Sequence, residues 1–155
     1  MITFFDLEVD VQKKNVVDIG GIRSDNACFH GTDFNGFRQF IRPSEFLCGH
    51  NIFAHDLKYL QQSGIDNLLP IKAIDTLLFS PLLFPMQPYH HLLKDDKIQV
   101  EELNNPLNDA KKAKDLFYDE INAFNHLREE VKVIFFNLLN QKPEYSGFFA
   151  FLSYD

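Results

Sequence analysis

The stretch TFFDLEVDV, Thr3–Val11, decides how this sequence is interpreted. It has the apolar content of a buried strand, yet Asp6 and Glu8 stand two residues apart within it. Side chains two apart on a strand point to the same face, so the two carboxylates leave the sheet close together. Like charges at that separation repel and raise each other's pKa. The pair therefore indicates either a half-solvated edge strand or a site where a divalent cation removes the repulsion.

The bulk composition is that of an ordinary globular domain. The chain has 155 residues, of which 45% are hydrophobic and 24% charged, with 17 Phe and no Trp, and this favours one sizeable core. No apolar run approaches the ~18 residues of a spanning helix and no signal peptide precedes the first strand, so we expect a cytoplasmic protein. Cys28 and Cys48 are too few for a disulfide framework and lack metal-ligand spacing, so buried thiols are expected. The formal net charge of −7 argues against a protein that coats nucleic acid through broad electrostatics.

The hydrophobic pattern predicts an α/β fold. Three strands open the chain as an antiparallel meander, and two more follow: ITFFDLEVD, VVDIGGIR, ACFHGT, EFLCGHN and IKAIDTL. A helix is predicted in DFNGFRQFI, with Asp33 as its N-cap, and another in FAHDLKYLQQSG, which ends at Gly64. LLFSPLLFP is predicted to be a short helix broken by prolines, and PYHHLLKDD a helical turn or two. The two longest helical segments are NPLNDAKKAKDLFYDEINAFNHL and REEVKVIFFNLLNQ. Antiparallel strands followed by alternating helices and strands predict a mixed sheet flanked by helices.

The end of the sequence bears on domain organisation. We interpret residues 1–155 as one domain in which 126–155 form a C-terminal helical extension. The last ten residues, SGFFAFLSYD, are rich in aromatics where chain termini are normally polar. Either this helix packs back onto the domain or the chain continues into a further domain, and continuation is our prediction.

Three further acids stand where the chain bends or where a helix faces inward. Asp56 lies in CGHNIFAHDLKYL, Asp75 ends the strand AIDTL, and Asp109 lies early in the helix of NNPLNDAKKAKDLF. Helices carry acids routinely, so each one alone is expected to be solvated surface. Their order after the D-x-E strand is what raises the possibility of a common site. Asp75 is expected to be a helix cap, with metal ligand as the lesser alternative.

This order resembles the DEDD superfamily of 3′–5′ exonucleases, the DnaQ-like branch of the ribonuclease H-like fold. The family's D-x-E motif matches Asp6 and Glu8, its Asn-to-Asp motif matches Asn51 and Asp56, and its third motif matches Asp109 with the small residue after it. The resemblance runs from Asp6 to about residue 115. More narrowly, GHNIFAHDLKYL, PYHHLLKDDK and NNPLNDAKKAKDLF resemble the exonuclease-type domain fused ahead of RecQ-like helicases.

The resemblance implies a two-metal nuclease. Asp6 would bridge two Mg²⁺ or Mn²⁺ ions, Glu8 and Asp109 would complete the site that activates water, and Asp56 would hold the second ion, partly through water. Two such ions, ~4 Å apart, support the attacking water and the leaving oxygen of a phosphodiester, and hard cations prefer oxygen ligands. The resemblance further implies that the substrate is contacted by Leu7, Val9, Asn51, His55, Asn104 and Lys111. Of these, Val9 would lie near the terminal nucleotide.

Two positions depart from the family's pattern. The family usually supplies a general base as a His five residues before the third Asp or a Tyr four before it, and here these are Asn104 and Asn105. An amide orients water by hydrogen bonds but accepts no proton near neutral pH. Since a general base contributes ~10²–10⁴-fold, its loss would leave a slow enzyme or none. His90 and His91 are candidate substitutes, although one packed ring and one exposed ring is the default expectation.

Other candidate contacts are weaker. His55 stands where the family has Phe or Tyr, and we expect it to point away from Asp56 and to pack or contact phosphate. Lys111, with Lys112 and Lys114, could contact a nucleic-acid backbone, but a solvated helix face is the default. Tyr89 and Phe53 could stack a terminal base, although in a Phe-rich chain core packing is expected.

Two function hypotheses follow. The first is a metal-dependent 3′–5′ exonuclease domain that removes nucleotides from single-stranded DNA ends, with RNA as a competing substrate, in a larger protein such as a helicase. The second is a catalytically weakened module that binds DNA ends or docks a partner, which the residues Asn104 and Asn105 favour. An α/β domain whose acids are coincidental remains the plain alternative.

Overall fold

The computed structural model describes residues 1–10, 12–64, 72–92 and 105–154. Five strands and six helices lie in this part of the chain. The strands are β1 (Ile2–Asp10), β2 (Asn15–Arg23), β3 (Cys28–Gly31), β4 (Phe46–Gly49) and β5 (Lys72–Asp75). The helices are α1 (Phe34–Ile41), α2 (Asp56–Gln62), α3 (Thr76–Leu83), α4 (Pro106–His126), α5 (Glu129–Leu139) and α6 (Pro143–Leu152).

The five strands form one mixed sheet, as the sequence predicts. Its spatial order, β3-β2-β1-β4-β5, differs from the order along the chain because β4 pairs with β1 rather than with β3. The first three strands are antiparallel neighbours, whereas β1, β4 and β5 run parallel. The carboxyl ends of the three parallel strands therefore meet at one edge of the sheet, which is where open α/β sheets usually bind ligands.

Alternation along β1 builds a core on each face of the sheet. Phe5 and Leu7 belong to a buried cluster with residues of α1 and α2. Ile2 and Phe4 belong to a second cluster with α3, α4 and α6, and the Phe4 ring lies 5.5 Å from that of Phe117. Because side chains alternate along a strand, Asp6 and Glu8 continue the face that carries Phe4 and so point to the side of α4.

The predicted helix caps are largely confirmed. Asp33 is the N-cap of α1, and its carboxylate accepts hydrogen bonds from the backbone N–H groups of Asn35 and Gly36. Gly64 follows α2 with a φ of +74°, the left-handed conformation that glycine tolerates best. However, α2 begins at Asp56 rather than at Phe53, because residues 51–55 form a turn.

Three local predictions were wrong. Pro81 lies inside α3 rather than breaking it, and the helix ends two residues later at Leu83. The described part of PYHHLLKDD, residues 88–92, is not helical, and a side-chain hydrogen bond between His90 Nδ1 and Ser80 Oγ (2.9 Å) ties this segment to α3. Cys48 is buried, but Cys28, on the edge strand β3, is exposed.

The predicted C-terminal helices are present, and the last one packs against the sheet. Gly147 of α6 lies against the backbone of Ala73 in β5, so closely that a side chain there would collide with the Ala73 carbonyl. Phe148 and Phe149 are buried in the core on the α4 side of the sheet. None of the helices in the described residues has both the length and the hydropathy that a bilayer-spanning segment needs.

Candidate metal centre

The first two acids of the site lie near the end of β1. Asp6 and Glu8 are partly buried. In the antiparallel ladder Asp6 is paired with Gly20 of β2, and a shift in register between Glu8 and Val9 marks an irregularity just beyond the pair. Such irregularities re-aim side chains next to functional sites.

The third acid reaches this place because a glycine lets helix α4 come close. A Cβ at Gly20 would collide with the backbone of Pro106 and Leu107, so the first turn of α4 rests directly on β2 opposite Asp6. The Asn105 side chain caps this turn by accepting a hydrogen bond from Leu107 N (3.0 Å), and a proline at the start of a helix costs no hydrogen bond. Asp109, in the same first turn, is thereby directed towards β1.

The three carboxylates converge. One oxygen from each of Asp6, Glu8 and Asp109 lies within 4.8 Å of the other two. Carboxylates this close repel one another, and a cation between them relieves the repulsion. An all-oxygen donor set of three acids suits hard divalent ions such as Mg²⁺, Mn²⁺ or Ca²⁺. The residues present therefore fit the ion that the sequence motif implies.

Asp56 lines the same cleft but is held differently. All four predicted acids line one cleft with a volume of about 370 Å³. The Asp56 side chain is only 2% exposed, and its Oδ1 accepts a hydrogen bond from Leu7 N of β1 (3.1 Å). Burial raises the pKa of this carboxyl to about 7, and the charges of Asp75 and Glu8 act in the same direction. Asp56 lines the cleft beside the group of Asp6, Glu8 and Asp109 but is not one of the three acids whose oxygens lie within 4.8 Å of one another.

A clamp that the sequence analysis missed fixes the turn before Asp56. Asp75, at the carboxyl end of β5, accepts hydrogen bonds from Asn51 N (2.7 Å), Phe53 N (3.1 Å) and Leu77 N (3.0 Å). The first two donors belong to the turn that leads into α2, and the third is in the first turn of α3. Asp75 is thus a helix cap, as expected, and also the anchor of a turn that holds Asn51 in a left-handed conformation with φ of +65°.

A histidine strengthens the same junction. His50 Nδ1 lies 2.9 Å from Thr76 Oγ1, which also donates to the carbonyl of Gly49 (3.2 Å). Burial, followed by the charge of the nearby His91, lowers the pKa of His50 to about 4. His50 therefore remains neutral at pH 7 and adds no positive charge to the cleft that it lines.

The predicted substrate contacts divide into two groups. Leu7, Asn51 and His55 line the cleft, and His55 Nδ1 is 3.6 Å from Asp56 Oδ1. The expectation that His55 points away from Asp56 was wrong, because His55 precedes the helix instead of lying within it. Val9 packs against the cluster on the α1–α2 face. Asn104 lies outside the described residues.

The two candidate bases have different surroundings. His90 is partly buried and is held by Ser80, whereas His91 is exposed and lines the cleft that contains the four acids. This is the arrangement of one packed and one exposed ring that was the default expectation. Asn105 uses its side-chain oxygen to cap α4. His91 is therefore the candidate base that the fold brings to the acids.

The three lysines after Asp109 point in different directions. Lys111 is exposed and does not line the cleft. Lys112 Nζ is 3.7 Å from Asp109 Oδ1, and Lys114 Nζ donates to Asn26 Oδ1 in the turn between β2 and β3 (2.7 Å). Lys112, rather than Lys111, places its charge beside the acidic cluster.

Comparisons with known proteins do not assign this chain to a family. No protein-family model, no curated protein and no solved structure matches the chain. The assignment of function therefore depends on the residues of the cleft and on their arrangement.

Proposed function

We propose that the chain is a metal-dependent 3′–5′ exonuclease domain of the ribonuclease H-like fold that removes nucleotides from single-stranded DNA ends. One observation carries the proposal: carboxylates from β1 and α4, distant in sequence, meet within 4.8 Å, and Asp56 lines the same cleft. A five-stranded mixed sheet flanked by helices is consistent with that fold. RNA remains a competing substrate.

Each residue of the cleft has a role in this proposal. Asp6, Glu8 and Asp109 would hold one Mg²⁺ or Mn²⁺ ion, and Asp6 with Asp56 would hold a second. Such ions supply an activated water and stabilise the charge that develops on the phosphate and on the leaving oxygen. Leu7, Asn51 and His55 contact the terminal nucleotide, and Lys112 places a positive charge next to Asp109.

The proton of the attacking water needs an acceptor, and His91 supplies it in this proposal. It is exposed in the cleft, and a neutral imidazole nitrogen accepts a proton near neutral pH. Asn105 cannot do so, both because an amide is not a base and because it caps α4.

The cap made by Asn105 also favours a second candidate, a module that binds DNA ends with little or no turnover. In that case the acids would still hold cations, and the cations would hold the terminal phosphate. The two candidates share the metal centre and differ only in hydrolysis.

One experiment separates them. A 5′-labelled single-stranded oligonucleotide is incubated with the protein and Mn²⁺, and the products are resolved by length. The exonuclease gives a ladder that shortens from the 3′ end, and Asp109→Asn lowers the rate at least ~100-fold because a charge that holds the ion is removed. Asp119→Asn, at an exposed position of the same helix, is the control and retains the rate.

The remaining outcomes are informative. Binding of the labelled strand without cleavage selects the end-binding module. A ladder that persists in Asp109→Asn, or a protein that binds no Mn²⁺ in calorimetry, refutes the proposed metal centre.

A further inference from the structure

Three exposed apolar side chains lie close together on helix α5. Val133, Ile134 and Leu138 are 43%, 53% and 65% exposed. The other large apolar side chains that solvent reaches lie on other segments of the described chain, namely Met1, Val17, Met86, Tyr89 and Tyr118. Of these, Tyr89 is 77% exposed, so it is not part of the core as the sequence suggested. Isolated exposed apolar side chains are ordinary, whereas several together on one helix mark an interaction surface.

The opposite side of α5 attaches the helix to the domain. The residues of α5 that pack against the core cluster on the α4 side of the sheet include Phe135, Phe136 and Leu139. The centre of the Phe136 ring lies 5.4 Å from that of Phe149 in α6. With 3.6 residues per turn, Ile134 and Leu138 lie one turn apart on the side of α5 that faces away from these rings. This outer side is an apolar helix face that no other element of the described chain covers, since no residue of α5 is fully buried.

The two ends of this apolar face carry charges of opposite sign. Glu130, in the first turn of α5, and Lys142, three residues beyond its last residue, are both exposed. Glu129 is paired with Lys132 and Tyr154, whereas the side chains of Glu130 and Lys142 have no ion pair or hydrogen bond with another described residue. When two copies of such a helix pack antiparallel, the acidic end of each lies against the basic end of the other. The face is therefore complementary in charge to itself.

The spacing of the charged and the apolar residues fits one two-fold axis. Glu130 and Lys142 are centred on position 136, and Ile134 and Leu138 are centred on the same position. In an antiparallel pair with its axis there, Ile134 lies opposite Leu138 of the second copy, and Glu130 lies opposite Lys142 of the second copy. Asn137, which is exposed close to the axis, has an amide that both donates and accepts, so it can bond to its own counterpart. A polar residue in an apolar helix interface fixes the register of the pair.

We propose that the outer face of α5 pairs with the same face of a second copy of this chain, in an antiparallel dimer with two-fold symmetry. Such self-complementary interfaces are the commonest kind in protein oligomers. A face contributed by one short helix is small, so the dissociation constant is expected to be on the order of tens of micromolar. None of the residues of this face lines the acidic cleft. The dimer therefore does not depend on the proposed function.

The test is sedimentation equilibrium at low salt over a protein concentration of about 5 to about 500 µM, which brackets this dissociation constant. Glu130→Lys and Lys142→Glu should each raise the dissociation constant about 10-fold, because like charges then meet at both ends of the pair. An equimolar mixture of these two variants should recover the original dissociation constant, because in the mixed dimer every end again meets an opposite charge. Ile134→Asp should stay monomeric, whereas Met86→Asp, at a 93% exposed position outside α5, should dimerise like the unaltered chain.

Other results overturn the proposal. An unaltered chain that remains monomeric over the whole concentration range does not pair through α5. A dimer that persists in Ile134→Asp is formed by another surface. If the mixture of the two charge variants does not recover, the helices are not antiparallel, and if it does recover, both variants are shown to be folded. These outcomes are distinct from failure of the proposed function, which is measured by Mn²⁺-dependent cleavage and its loss in Asp109→Asn.

Discussion

Asp109 and Glu120 lie on the same helix, about three turns apart, and the fold treats their carboxyl groups in opposite ways. Asp109 is partly exposed in the first turn of α4, where it meets two other acids. Glu120 is fully buried among phenylalanines of the core, and neither of its oxygens has a hydrogen-bond partner among the described residues. Burial, together with the charges of Asp75 and Asp119, raises the pKa of Glu120 to about 10.

The difference shows that an acid within an apolar pattern does not by itself indicate a site. Glu120 belongs to no group of three or more potential metal ligands among the described residues, and burial keeps it protonated and neutral. Asp75 is also buried but accepts three backbone hydrogen bonds, and its role is to hold a turn. Among the described residues, Asp6, Glu8 and Asp109 at the edge of the sheet combine mutual proximity with access from solvent, which is the combination that a cation needs.

The largest effect is expected from a substitution that prevents the close contact between β2 and the start of α4, the contact that brings Asp109 to Asp6 and Glu8. In Gly20→Ala the new methyl group would meet the backbone of Pro106 and Leu107, which has no flexible end to move aside. The start of α4 must shift and take Asp109 with it. We expect the affinity for Mn²⁺, measured by calorimetry, to fall at least ~100-fold, and the free energy of unfolding to fall by about 3 kcal/mol.

Gly31→Ala is the matched control for this change. Gly31 lies on the neighbouring strand β3, where an added Cβ would meet only ordinary van der Waals contact with the Phe29 ring. It should leave Mn²⁺ affinity unchanged. Unchanged affinity in Gly20→Ala as well would show that Asp109 is not positioned by this contact.

The second effect concerns the buried acid. The folded-state pKa of Glu120 is about 10 against a usual value of 4.5, so between these values the folded chain keeps a proton that the unfolded chain has lost. Stability therefore falls as pH rises through this range. In the unaltered chain the free energy of unfolding should fall by roughly 2–3 kcal/mol between pH 5 and pH 7. In Glu120→Gln, whose amide does not titrate, this fall should be absent. The measurement is urea denaturation at each pH.

The control for Glu120 is an exposed glutamate. Glu130 lies in the first turn of α5 and is exposed, so Glu130→Gln should retain the pH dependence of the unaltered chain. If Glu120→Gln retains it too, Glu120 titrates normally and the contrast with Asp109 disappears.

The smallest effect separates the two roles of Asp75. Serine is a good N-cap, so Asp75→Ser keeps a cap for Leu77 N but cannot also reach the N–H groups of Asn51 and Phe53. We expect the first Mn²⁺ ion to bind as before and the second, which needs Asp56, to bind ~10-fold more weakly in a two-site calorimetric titration.

Asp33 provides a matched comparison, because it is also an aspartate N-cap but holds only its own helix. Asp33→Ser should leave both binding steps unchanged. Equal weakening of both ions in Asp75→Ser would mean that the clamp supports the whole cleft rather than Asp56 alone.

Local sequence patterns predicted much of this molecule. The alternation in β1, the cap at Asp33 and the long helix after Asn105 each follow from neighbouring residues, and the structure contains all three. The D-x-E pair could be selected because acids in an apolar strand conflict with their setting, and Asp109 could be selected only through its order after that pair. Glu120 shows why that signal has limits, since it occupies the same helix and the same kind of pattern.

The features that sequence could not supply depend on contacts between distant residues. Nothing near Asp75 indicates that it bonds to Asn51 and Phe53, because that contact follows from the parallel pairing of β4 and β5. The residues next to Gly20 likewise do not indicate why a glycine is needed there. It is needed because the backbone of α4 lies where a Cβ would be. The choice of Lys112 over Lys111 depends on the rotation of α4 about its axis, which only packing determines.

The junction of β2 with the start of α4 has a consequence for how the chain acquires its ligand. The carboxylates of Asp6 and Asp109 are neighbours only when α4 is docked on the folded sheet, so an unfolded chain offers a cation merely scattered acids. Any ion that the native cleft binds thus stabilises the folded state by mass action. At a free ion concentration 100 times the dissociation constant, the free energy of unfolding rises by about 2.7 kcal/mol. Chelation would then act on this molecule as a mild denaturant.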